Sequence, residues 1–132
     1  MWALRALIMA LPIAAMSIPA AATDFSGAWT VTLTMARPAS LNGESACFNF
    51  TQTGTVGNRP NSGTFTIAGT SVTGQYFVIE DELMAFTSLP NNGYLALTGR
   101  LHLAQNTILH TSFVEVVDGS PATATFTATV GC

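Results

Sequence analysis

Two stretches of one-for-one alternation bracket the chain. In "TDFSGAWTVTLTM", residues 23–35, Trp29, Val31, Leu33 and Met35 fall on one side, and Thr30, Thr32 and Thr34 on the other. Successive side chains of an extended chain point to opposite faces, so this pattern predicts a β-strand with one face buried and one wetted. The chain closes the same way: Ala122, Ala124, Phe126, Ala128 and Val130 alternate with Thr123, Thr125, Thr127 and Thr129. Threonine fits the wet side because its branched carbon suits a pleat while its hydroxyl meets solvent.

Between these ends lie shorter runs at 46–52, 64–68, 72–79, 83–89, 94–104 and 107–117, each predicted as a strand. "TGTVGNRPNSG", "GTS", "EDE", "PNNG", "QN" and "DGSP" separate them. Such segments supply positive-φ positions or halt a strand. The reading is all-β, with about eight strands and no helical period beyond the first 22 residues. Mostly tight turns favour an antiparallel up-and-down β-barrel over a β-sandwich, the alternative, which needs longer crossovers. Closure also removes the exposed edges that threonine-rich strands would otherwise leave open to aggregation.

The first 22 residues have a different character. Arg5 precedes an apolar run from Ala6 to Met16, and small residues follow at Ala20 and Ala22. That three-part layout predicts a signal peptide over 1–22, cleaved after Ala22, and a single domain over 23–132. The run is shorter than the roughly 20 apolar residues a bilayer span needs, and Pro12 interrupts it. No cysteine follows the small residues to carry a lipid, so no stable membrane anchor is expected after cleavage. Cys47 and Cys132, the two cysteines of the chain, read as one disulfide in an oxidising compartment. The expected location is secreted or periplasmic.

Charge narrows the partners. Charged residues make up 8% of the chain, there is no lysine, and the arginines beyond the leader are Arg37, Arg59 and Arg100. Nucleic-acid binding needs a basic footprint to displace counterions, which this composition lacks. An anionic membrane surface is disfavoured for the same reason.

Gly27-Ala28-Trp29, at the start of the first strand of an eight-strand meander, resembles the Gly-x-Trp opening of the calycin barrels, which include lipocalins, fatty-acid-binding proteins and avidin-like proteins. The resemblance implies that Trp29 packs across the closed end of a barrel whose interior takes a small apolar or amphipathic ligand. Biotin is not expected, since avidin-like sites use several tryptophans and one follows the leader here. Gln52-Thr53-Gly54 and Val72-Thr73-Gly74 are similar to turns of small secreted bacterial barrel domains of unknown function.

Eight strands enclose an interior that side chains just fill or that holds one small ligand. Trp29, Phe48, Phe50, Tyr76, Phe86 and Phe126 are the expected ligand-binding walls, with Phe65 and Phe113 as further aromatic material. His110 is the candidate polar anchor. If Glu115 faces water, His110 faces inward with Ile108, Ser112, Val114 and Val116. The opposite phase, with Leu109 and Phe113 inward, stays open, and a bulge can switch between them. His102 shares a face with Arg100 and Ala104 and reads as wetted. Neither histidine has a nucleophile in a recognisable elbow or a carboxylate placed to orient it, so no catalytic residue and no enzyme activity is expected. Glu80, Asp81 and Glu82 match no calcium loop and read as a hairpin tip, so neither metal nor cofactor is expected. The competing function is a protein-binding module of the cell envelope or a secreted protease inhibitor, using the long loops at 36–45 and 53–63.

Overall fold

The computed structural model describes residues 25–56 and 59–132. The expected leader at 1–22 lies outside the described residues. Eight strands follow one another: β1 (Gly27–Arg37), β2 (Ser45–Val56), β3 (Arg59–Ile67), β4 (Thr73–Ile79), β5 (Glu82–Leu89), β6 (Gly93–His102), β7 (Thr107–Val117) and β8 (Ser120–Val130). Each pairs antiparallel with the next and β8 pairs back onto β1, making a closed up-and-down barrel. The sandwich is therefore excluded. Two short 3-10 turns, Ala39–Leu41 and Leu103–Gln105, complete the described secondary structure. The second replaces the predicted end of the 94–104 strand, while β2 and β3 extend into the stretch at 53–63 that the sequence suggested as a loop.

Closure is secured where the start of β1 meets the residues after β8. The Thr30 hydroxyl donates to the Gly131 carbonyl at 2.6 Å, and the Gly131 amide donates to the Ala28 carbonyl at 2.8 Å. The C-terminal residues thus cross β1, and Cys132 reaches Cys47 on β2, forming a disulfide across 85 residues of sequence. Because Thr30 is the register partner of both Cys47 and Thr129, the disulfide straps the outer side of the closing strand pair.

The alternation of β1 holds for Trp29, Val31 and Leu33, which are buried, but not for Met35, which is 80% exposed. A register shift between Thr34 and Arg37 puts Met35 at φ 49° and turns Ala36 inward instead. The inserted residue of a bulge reverses the facing of everything after it. Beyond it, the Ala39–Leu41 turn tucks Leu41 into the end of the barrel. Phe25, just before β1, is buried at the other end.

Side-chain size is matched across strands. Gly63 pairs with Tyr76 and Gly74 with Phe65, each inward glycine lying beside the ring of its cross-strand partner. A Cβ on Gly63 would come within 2.7 Å of the Tyr76 ring and meet the Thr51 backbone; one on Gly74 would come within 2.5 Å of the Phe65 ring. Gly63→Ala is expected to destabilise the barrel by about 1–3 kcal/mol, because rigid backbone must yield as well as the ring. A urea unfolding midpoint measures this; an unchanged midpoint would show that β2 and β3 separate freely there.

Candidate functional site

The inward faces converge on a filled interior. Every strand contributes a side chain with almost no access to water: Leu33, Phe48, Phe65, Tyr76, Ala85, Leu97, Phe113 and Ala122 are each at most 1% exposed. A void inside the barrel large enough for a small ligand would leave its lining accessible to a water-sized probe, so these side chains enclose none there. Trp29, Phe48, Phe50, Tyr76 and Phe126 are all buried here. Phe25, Phe50 and Tyr76 form the tightest group, with Phe25 and Phe50 centroids 4.6 Å apart and Phe50 edge-on to Tyr76 at 5.3 Å. The Tyr76 hydroxyl donates to the Phe25 carbonyl at 3.0 Å, tying the segment before β1 to the wall. Trp29 is fully buried against Phe25, and its indole N–H has no hydrogen-bond partner among the described residues.

Two of the expected wall and anchor residues lie outside this group. His110 is exposed at φ 52°, where β7 shifts register against β6 between Thr98 and Arg100. The bulge switches facing along β7: Ile108 is buried on one side of it and Phe113, Glu115 and Val117 on the other. The Thr111 hydroxyl repairs the interrupted ladder, donating to the Phe126 carbonyl at 2.7 Å and accepting from the Phe126 amide at 2.8 Å. His110 therefore points away from the interior, correcting its placement as an inward anchor. Glu115, expected to face water, is fully buried between the register positions of Leu95 and Ala122. Phe86 is the second correction. It stands 41% exposed on the outer wall and stacks on Phe77 at 6.2 Å.

That outer wall carries what the sequence reading missed. Phe77, Ile79, Met84, Phe86 and Leu109 are all at least 41% exposed, and all project outward from β4, β5 and β7. Register brings them together: Phe77 pairs with Met84, and Ile79 pairs with Glu82. Glu82 pairs with Arg100, and Arg100 with Leu109. Arg100 and Glu82 form an ion pair at 2.8 Å with both side chains half exposed. A hollow of about 310 Å³ opens beside it, lined by Phe77, Ile79, Glu82, Leu83, Met84 and Thr98. The signal in the sequence was present at 77, 79, 84 and 86, where large apolar residues occupy alternate positions. It was obscured because Tyr76, Val78, Leu83 and Ala85 are apolar as well, so neither face of the hairpin reads as polar.

The wall offers apolar contact and one carboxylate–guanidinium pair, with Glu80 and Asp81 exposed at the adjoining β4–β5 turn. Among the described residues no group of three histidine, cysteine, aspartate or glutamate side chains is arranged to hold a metal ion. No family model matches the chain, and searches of curated proteins and of solved structures return no match either.

Proposed function

We propose that this protein is an exported, calycin-like barrel that works as a protein-binding module, with the outer wall of β4 to β7 as its recognition surface. One observation carries the reading: large apolar side chains stand in water on one wall while the interior is filled. The largest contiguous apolar patch on a soluble monomer is often a functional surface. The chemistry it fits is a protein face with apolar side chains around one acid and one base. Export is supported by the residue layout at 1–22 and by a disulfide compatible with an oxidising compartment. The calycin relationship is supported by Gly27-Ala28-Trp29 opening the first strand of a closed eight-strand meander with Trp29 buried at its end.

A second reading, binding of a small apolar ligand, is favoured by the hollow on the same wall, whose volume of about 310 Å³ falls at the lower end of ordinary ligand sites.

A photocrosslinker at position 84, compared with one at Thr127 on the far wall, separates the readings. Partner binding predicts a saturable protein adduct from position 84 alone, lost when Phe77 and Ile79 are replaced by serine. These two sites are 41% and 69% exposed, and surface changes away from packed features typically shift stability by about 0.5 kcal/mol or less. Equal labelling from both walls would sink the protein-binding reading, and a small-molecule mass adduct in its place would support the second.

A further inference from the structure

The order of side chains across the recognition wall has its own symmetry. One register row runs Ile79 on β4, Glu82 on β5, Arg100 on β6 and Leu109 on β7. Read across the strands it is apolar, acidic, basic, apolar. All four side chains are exposed, from 44% for Leu109 to 69% for Ile79. A row of this kind is complementary to itself after a half-turn.

We infer that the partner on this wall is a second copy of the chain, docked face to face about a two-fold axis running along the strands between β5 and β6; this inference rests on the protein-binding reading above. A half-turn about that axis exchanges left and right across the row. Glu82 then faces Arg100 of the second copy and Arg100 faces Glu82 of the second copy. Ile79 meets Leu109 of the second copy at either flank. In the adjacent row, where Met84 pairs with Thr98, Met84 covers Thr98 of the second copy. Two-fold contacts require a self-complementary surface, and this one supplies it in both charge and hydrophobicity.

Charge balance argues for this occupant over a partner of one dominant charge. A strongly charged partner would leave either Glu82 or Arg100 facing its own sign, whereas a second copy pairs both. The alternative of bare solvent leaves the stacked rings of Phe77 and Phe86 in water. The dimer is expected in the micromolar range, in exchange with single copies.

Sedimentation equilibrium of the protein isolated from an oxidising compartment tests this with three charge variants. The native protein is expected to pass from one-copy to two-copy mass as concentration rises through the micromolar range. Glu82→Arg, and separately Arg100→Glu, set like charges against each other twice across the axis and should weaken association by about tenfold or more. The double exchange restores the alternating row in mirrored order and should recover native association.

A one-copy mass at every concentration, single exchanges without effect, or a double exchange that fails to rescue would each overturn the second-copy dimer. The crosslink at position 84 separates the two levels of failure. A one-copy protein that still gives the saturable heterologous adduct refutes the dimer and leaves the protein-binding reading standing. A one-copy protein with no adduct refutes both.

Discussion

Cys132→Ser is expected to lower the stability of the barrel by about 4–5 kcal/mol, the loop-closure entropy for a cross-link spanning a loop of this length. The bridge joins Cys47 on β2 to the residue at position 132, beyond the end of β8, across 85 residues. In the folded protein it lies over β1, whose pairing with β8 closes the barrel. Its loss therefore acts twice: the unfolded chain gains freedom, and the Gly131–Ala28 contact loses its tether. Urea unfolding with and without reductant measures both. The native protein in reductant and the serine variant should share one lowered midpoint. An unchanged midpoint would mean that strand closure alone holds the ends.

Trp29→Ala is the second large change, expected at about 3–5 kcal/mol, the usual result of truncating a large buried aromatic whose surroundings relax only partly. Trp29 is fully buried, 5.4 Å from the Phe25 ring, and its strand also carries the Gly131 bridge. It sits at the end of the barrel where the segment after β8 crosses the start of β1, so the cavity would open beneath the closure. Met84→Ala on the outer wall serves as the contrast. Its side chain is 53% exposed, and a loss within about 0.5 kcal/mol is expected there. Thermal unfolding of the two variants side by side decides the matter; comparable losses would place the wall in the packing of the barrel and remove its claim to be a free surface.

Much of the barrel was legible because alternation is a local signal. β1 and β8 read directly, since threonine on one side and apolar residues on the other leave a single consistent phase. The turns at 80–81, 91–92 and 118–119 read from residues that tolerate positive φ, and Glu80, Asp81, Asn91, Asn92, Asp118 and Gly119 all adopt it. β7 was harder. His110 and Glu115 lie on opposite faces of a regular strand, and a single phase could not bury both Ile108 and Phe113. The bulge at His110 resolves this by burying Glu115 and exposing the histidine. The shift falls opposite Gly99 on β6, where an added Cβ would run into the Ile108 side chain, so the fit there involves both strands.

The sequence by itself determined the all-β class and about eight strands, since strand facing and turn chemistry are written within a few neighbouring residues, and it pointed to one disulfide because the chain holds two cysteines; the closed barrel in place of a sandwich came from the strand pairing. Only the tertiary structure decided that aromatics and leucines fill the interior, because filling depends on sizes matched across strands, as Gly63 is to Tyr76. It alone assembled the row of Ile79, Glu82, Arg100 and Leu109, whose members come from four strands. Which residues share a wall is set by register, and register is a property of strand pairs that no single stretch of chain contains.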